Sequence, residues 1–275
     1  MISARFKKIV TFEGAGVHTG SNCLIALHHA IGGQSGLVSF VRDGRCIAAS
    51  PSFIQRSRAR ATVLDNGILT VSTVEHLLFA LQFFKGEWRV ELTASEIPIM
   101  DGSALPFASA LMQSGIPPRA VFFDVPVKLE IIDGASHAII RPCAPNASPI
   151  YTVDLVFPSP MGSMSCSVVP MLPEIIRQLS PARTFVLEAE IDYLKSVGLI
   201  KGGSLDCALV IGKNGPINTE GMRFPNEPAR HKMLDFLGDM SLLGALPRAH
   251  IHIQRPGHHI NHVIIEHLTP FVGSL

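Results

Sequence analysis

The stretch NEPARHKMLDFLGDMSLLG, residues 226–244, is the one around which the rest of the chain is organised. Asn226 suits an N-cap, and Pro228 suits the first helical turn, where a missing N–H costs nothing. Met233, Phe236, Leu237, Met240 and Leu243 recur at three- and four-residue spacing, which predicts one helix with an apolar face. A polar line runs along the same helix: His231, Asp235 and Asp239. Residues four apart lie one above another. An imidazole and a carboxylate one turn apart can therefore hold one divalent cation, which leaves Asp239 to orient something nearby. A solvated face with a His–Asp contact has the same pattern, and catalytic zinc usually takes three protein ligands. The third ligand has to come from elsewhere in the chain.

The chain has 275 residues, of which 47% are apolar and 16% charged, so it can bury a sizeable core. A net charge of +1 gives no field that would recruit nucleic acid. Cys23, Cys46, Cys143, Cys166 and Cys207 are odd in number, scattered and without a C-x-x-C spacing, which fits reduced thiols in a cytoplasmic protein. The N-terminal residues MISARFKKIVTFEG lack the apolar core of a secretory signal, and apolar runs such as residues 77–81 are far too short to span a membrane. A soluble chain without stable membrane insertion is expected, and a groove would suffice for a greasy substrate.

Residues 8–12 predict a strand that enters GAGVHTG, residues 14–20. The third glycine falls one residue too late for a dinucleotide fingerprint and residues 22–28 alternate like a strand, so this is a tight turn carrying His18. Residues 36–41 and 60–64 predict further strands, the second reached through Arg56, Arg58 and Arg60. Ser72-x-x-Glu75 matches a capping box, and Leu77, Leu78, Leu81 and Phe84 continue an apolar stripe, so a helix is predicted from about residue 73. Glu75 and His76 then sit in its first turn, where a cap and a buried histidine are the plain reading of both. A strand over residues 88–94, an Asp101-Gly102 turn and a helix over 107–114 lead to Gly115-Ile116-Pro117-Pro118, the candidate domain boundary. Beyond it, residues 127–132 and 137–142 flank Asp133-Gly134 as a hairpin. Residues 151–157, 165–169, 182–187 and 205–211 read as strands and 188–197 as a helix. The organising helix, a strand over 250–254 and a last helix from about residue 258 complete the chain. No repeat is visible, yet each half offers several strands, at least two helices and one helix with a metal-competent histidine.

Four stretches carry a resemblance: GAGVHTG; STVEHLLFAL with EIPIMDGSA; ARTF with GGSLDCALV; and RHKMLDFLGDM with GHHIN. In this order they resemble the zinc-dependent UDP-3-O-acyl-N-acetylglucosamine deacetylases of lipid A biosynthesis, over nearly the whole chain. The resemblance implies an α+β fold of two domains with similar topology, residues 1–116 and 117–275, each a sheet layered against helices, with the active site between them. It implies a metal held by His76, His231 and Asp235, zinc or, in the cell, Fe2+. Glu75 would be the general base that takes a proton from the attacking water. Thr184 would donate to the oxyanion. His258, oriented by Asp239, would stabilise the tetrahedral intermediate and protonate the leaving amine. Lys232, Glu190, Phe185 and Gly203 would bind the nucleotide sugar and its acyl chain, the latter in a passage formed near residues 185–203. The implied partner is a small molecule, and the implied working unit is a monomer. Pro256 before Gly257-His258 and the additional His259 and His262 depart from the pattern and bear on substrate detail. An amidase acting on another acylated amino sugar would share these residues. A sugar-nucleotide binding protein with a purely structural metal would need neither Glu75 nor His258.

Overall fold

The computed structural model describes residues 6–30, 37–56, 60–84, 86–144, 146–157 and 161–273. Arg58, expected in the basic segment, lies outside them. The strands of the first half are β1 (Lys7–Ala15), β2 (Asn22–Ala30), β3 (Val38–Arg42), β4 (Arg45–Ala48), β5 (Val63–Asp65), β6 (Thr70–Ser72) and β7 (Glu87–Leu92). Its helices are α1 (Glu75–Leu81) and α2 (Leu105–Met112). Then follow β8 (Phe122–Asp124), β9 (Leu129–Asp133), β10 (Ser136–Pro142), β11 (Ile150–Val156) and β12 (Ser163–Val168). Next come α3 (Glu174–Leu179), β13 (Phe185–Leu187), α4 (Ile191–Ser196), β14 (Leu209–Gly212) and β15 (Gly215–Pro216). The chain closes with α5 (Glu227–Met240), β16 (Leu246–Gln254) and α6 (His258–Leu268). The fold is mixed α+β.

Two larger sheets follow one path. The five-stranded sheet runs β1-β2-β7-β3-β4, and the main path of the six-stranded sheet, read in the matching direction, runs β9-β10-β16-β11-β12. In each, the strand that comes fifth in sequence lies in the middle, antiparallel to the second and parallel to the third. Strand β8 adds to the second sheet by pairing with the start of β16. The order of helices matches too: α1 and α5 precede the central strand of their sheet, while α2 and α6 follow it. Alternating side chains explain the layering. Ile25, Leu27, Phe40, Trp88 and Val90 of the first sheet are buried in one cluster with Leu77 and Leu78 of α1 and Phe107 of α2. Ile140, Tyr151, Val153, Ile251 and Ile253 of the second join it with Phe236 of α5 and Ile264 of α6.

Helices α1 and α5 pack directly on each other, and Gly238 is the reason they come so close. A Cβ built there would fall 2.2 Å from the backbone oxygen of Glu75. Glycine inside a helix costs roughly 0.5–1 kcal/mol relative to alanine, and here that cost permits backbone-to-backbone contact. Gln82 ties the pair further by donating from Nε2 to the carbonyl of Leu237 at 3.1 Å.

Three expectations are corrected. The capping box does not form: Ser72 stays in β6, its amide bonded to Ser95, and Thr73 turns the chain with φ of 57°. Helix α1 therefore starts at Glu75 with no side-chain cap, and the Glu75 carboxylate is free for other work. Asn226 precedes α5 but does not cap it; its Oδ1 accepts from Arg230 Nε and its Nδ2 donates to Ser165. Residues 205–208 are a turn, not the start of a strand, because Asn218 donates from Nδ2 to the carbonyls of both Leu205 and Ala208.

Candidate active site

Helix α5 places His231, Asp235 and Asp239 on successive turns, all buried. The first turn of α1 faces it with Glu75 and His76, also buried. His76 Nε2 lies 3.6 Å and His231 Nε2 3.2 Å from the same oxygen, Asp235 Oδ1. The two rings are nearly perpendicular, with centroids 5.0 Å apart. His231 Nδ1 donates to the carbonyl of Ala182 at 3.1 Å, so its Nε2 presents a lone pair. Burial drives the pKa of His231 down to about 3, which keeps the ring neutral. Burial works against the charge of Asp235, but His231 and Lys232 hold it well below the usual carboxylate range. Asp235 Oδ1 is buried without a hydrogen-bond partner. A lone pair aimed at an orphaned carboxylate oxygen is unfavourable unless a cation sits between them. These three side chains form a group of the spacing a metal needs, so the donor set fits a divalent cation.

Beside this group stand a buried carboxylate and a buried imidazole. Glu75 Oε1 is 3.6 Å from His258 Nε2, and Glu75 Oε2 accepts from the amide of Thr62 at 3.1 Å. Burial raises the Glu75 pKa, against the opposing influence of His258 and His76. His258 opens α6, with Nδ1 2.9 Å from Asp239 Oδ2. Burial pushes the His258 pKa down, but Asp239 and Glu75 prevail and bring it up to about 9. Asp239, despite its burial, is held below the usual range by His258. It also accepts from Asn261 Nδ2 at 2.8 Å and from the Thr62 hydroxyl at 2.5 Å.

The segment 182–184 is clamped from two sides. Arg183 is buried and donates from Nε to Glu227, the first residue of α5, at 2.9 Å; it also pairs with Glu220. Thr184 donates its amide to Gly102 at 2.7 Å. Gly102 has φ of 82°, and a Cβ there would strike the Cys207 carbonyl, so the Asp101-Gly102 turn fixes where Thr184 sits. Lys232 donates to Asp235 Oδ2 at 2.8 Å and lies 5.4 Å from the Phe185 ring centroid.

A cavity of about 610 Å³ opens onto these groups. Thr184, Phe185, Lys232 and Gly203 line it, and Ile191, Leu194, Ile200 and Val210 make much of its wall apolar. His18 lines it too, with Nδ1 buried and unpartnered; Glu96 fixes the glycine turn by accepting from the amides of His18 and Thr19. Glu190 stands apart from the lining and is paired with Arg60 through two bonds of 2.9 and 3.0 Å. His259 is exposed and paired with Asp133, whereas His262 is buried and faces Thr62. Thr62 and Asn261 were not singled out from the sequence; no motif marks Thr62, while Asn261 lies within GHHIN.

A group that could hold a cation, flanked by a buried carboxylate and a buried imidazole, fits the constellation of a metal-dependent hydrolase. Comparison with known proteins identifies the family. Residues 4–270 match the family described as LpxC: UDP-3-O-acyl N-acetylglycosamine deacetylase. The UDP-3-O-acyl-N-acetylglucosamine deacetylase of Syntrophotalea carbinolica is 34% identical over 266 residues, covering 94% of this chain and 85% of that protein. Those of Citrifermentans bemidjiense and Thermosynechococcus vestitus are 36% and 35% identical, covering 94% and 91% of this chain and 86% and 88% of theirs. The chain belongs to this deacetylase family, which is one of metal-dependent amide hydrolases. No described helix is long and apolar enough to cross a membrane.

Proposed function

We propose that the protein hydrolyses the N-acetyl group of UDP-3-O-acyl-N-acetylglucosamine, releasing acetate and the free amine that lipid A biosynthesis requires. The observation that carries this reading is the Glu75–His258 pair, 3.6 Å apart beside Asp235 Oδ1, the orphaned oxygen faced by two imidazoles. A purely structural metal needs no such pair. His76, His231 and Asp235 hold the ion, taken to be zinc, with Fe2+ as the alternative in the cell. When bound, it supplies Lewis-acid activation of the amide carbonyl and of the attacking water.

The remaining chemistry belongs to side chains. Glu75 takes a proton from the attacking water. The Thr184 hydroxyl donates to the developing oxyanion. His258, kept protonated by Asp239, offsets the negative charge of the tetrahedral intermediate and gives its proton to the leaving amine. Lys232 and Phe185 receive the nucleotide sugar, with Gly203 at the cavity wall. Glu190 acts there through its Arg60 pairing. The apolar wall from Ile191 to Val210 receives the acyl chain.

Residues 1–116 and 117–275 are taken as two domains with the site between them, supported by the shared strand order of the two sheets. The working unit is taken to be a monomer. A small-molecule substrate and a scattered set of thiols suit a cytoplasmic location. The test is mass-spectrometric detection of acetate release from UDP-3-O-acyl-N-acetylglucosamine of several chain lengths, with UDP-N-acetylglucosamine as control. Metal-stripped protein is then resupplied with zinc or Fe2+. Release that depends on the acyl chain and on metal is expected. Metal-independent release, or none with any chain length, would overturn the proposal.

A further inference from the structure

Thr62 lies in the segment that leads into β5, and it is fully buried. It belongs to neither the metal group nor the cavity lining. Four polar groups nevertheless converge on it. Its amide donates to Glu75 Oε2 at 3.1 Å. Its hydroxyl oxygen lies 2.5 Å from Asp239 Oδ1, 2.9 Å from His262 Nε2 and 3.3 Å from His258 Nδ1.

The single hydroxyl hydrogen can be placed. Asp239 is an ionised carboxylate and has nothing to donate, so the Thr62 hydroxyl must donate to Oδ1. The His258 Nδ1 hydrogen goes to Asp239 Oδ2, the nearer acceptor at 2.9 Å. The Thr62 oxygen is then left to accept, and His262 Nε2–H supplies the donor. Asp239, His258 and His262 together have the spacing of a metal group, but the Thr62 hydroxyl occupies its centre and satisfies it with hydrogen bonds. The Asp239 carboxylate is thus held from three directions, by Thr62, His258 and Asn261. With Oδ1 pinned, Oδ2 has one place to be, and the imidazole of His258 follows it.

We infer that Thr62 is a positioning residue that indexes the general acid against the general base: its amide fixes one oxygen of Glu75 while its hydroxyl fixes the carboxylate that aims His258. This rests on the acid–base roles proposed above. The geometry gives the consequence directly. Because Glu75 Oε2 is taken by the Thr62 amide, Oε1 is the oxygen left to face His258 Nε2. Because Asp239 Oδ1 is taken by the Thr62 hydroxyl, His258 turns that nitrogen towards it. One residue sets both halves of the 3.6 Å gap.

The test separates the two links. Thr62→Val keeps the shape and the amide bond to Glu75 and deletes only the hydroxyl. Loss of a hydrogen bond to a charged group corresponds to about 10- to 100-fold. That loss is expected in kcat, with KM and metal content unchanged and with Thr62→Ser returning to within about threefold of wild type. Thr62→Val combined with Asp239→Asn should be no slower than Asp239→Asn alone, since the hydroxyl acts through that carboxylate. A readout independent of substrate is the downfield proton resonance of the His258 Nδ1–H, which should shift in Thr62→Val and recover in Thr62→Ser. Thr62→Ala is read by the same measurements should the valine variant fail to fold. Wild-type kcat in Thr62→Val, a loss confined to KM or metal content, or an unmoved resonance would each overturn the inference. Absence of acetate release by the wild type would instead count against the proposed function, and the resonance would still decide the role of Thr62.

Discussion

Replacing Asp239 by Asn tests the acid assignment through its dependence on pH. Burial alone would lower the His258 pKa, and the charge of Asp239 is the leading influence that raises it to about 9. Asparagine keeps the size of the side chain and an oxygen to accept from Nδ1 but removes the charge. The pKa should then fall, and because Glu75 and Asp235 still raise it, the ordinary value of about 6.5 is taken as the far end of that fall. A group with a pKa of about 9 is about 97% protonated at pH 7.5, whereas one at about 6.5 is about 9% protonated, a tenfold difference in competent enzyme. At pH 6 the same two groups are about 99.9% and about 76% protonated, a difference of roughly 1.3-fold. The ratio of wild-type to variant kcat/KM should therefore grow by up to about eightfold between pH 6 and 7.5 from protonation alone.

The sign follows from the role. An acid must hold its proton, so activity is lost as pH rises through its pKa, and a lowered pKa moves that loss to lower pH. A cation bound beside Asp235, whose Oδ2 is 3.8 Å from His258 Nε2, lowers the pKa in both proteins. It moves the window down without removing the difference between them. The assay is initial acetate release across pH 5.5–9.5 with metal content measured on the same samples, in steps of about half a pH unit, fine enough to resolve a single titration. A ratio that stays constant across pH, with metal content unchanged, would show that the acid is another group.

Glu75→Gln should cut kcat by ~10²–10⁴-fold, the usual worth of a general base. Since burial opposes the Glu75 charge and Gln can still accept from Thr62, its thermal midpoint should not fall, and a drop in stability with kcat intact would reverse the assignment. His231→Ala should remove most bound metal, as read by elemental analysis after dialysis; full occupancy with full turnover would rule out this ligand set. Gly238→Ala should lose ~1–3 kcal/mol, the usual cost of overpacking, and lose turnover as well, because the clash falls on the backbone of Glu75. A variant with unchanged thermal midpoint and rate would mean that α1 and α5 can separate without harm.

What the sequence made legible is what periodicity carries. His231, Asp235 and Asp239 share one face of α5 because a helix repeats every 3.6 residues, and four-residue spacing reveals that without tertiary information. Alternation likewise marked single strands such as β7, while the layered α+β class came from the resemblance carried by the four separated stretches. The capping box failed because S-x-x-E is a local pattern, whereas the positive φ at Thr73 is set by the side-chain bond from Thr73 to Glu96, 23 residues away. The strand over 205–208 failed likewise, since nothing local announces that Asn218 will take those two carbonyls. The shared order of the two sheets was hidden because short strands such as β4 carry too few residues to show a period.

Thr62 is the extreme of this series. It sits where only a strand was expected, in the run ARATVL, and a threonine before a strand is unremarked in any chain. Its partners are 13, 177, 196 and 200 residues away. Periodicity finds groups that one element brings together, and motifs find groups whose spacing chemistry constrains within one segment. A residue that links the first turn of α1, the last turn of α5 and the start of α6 is constrained by neither. It becomes visible only when each buried donor and acceptor is traced to its partner. The same tracing points to the candidate metal group from the other direction, as the carboxylate oxygen of Asp235 that has no hydrogen-bond partner. The satisfied and the unsatisfied polar groups therefore carry the proposal together: the orphaned oxygen is where a cation fits, and the fully committed hydroxyl is what would hold the proposed acid and base in register beside it.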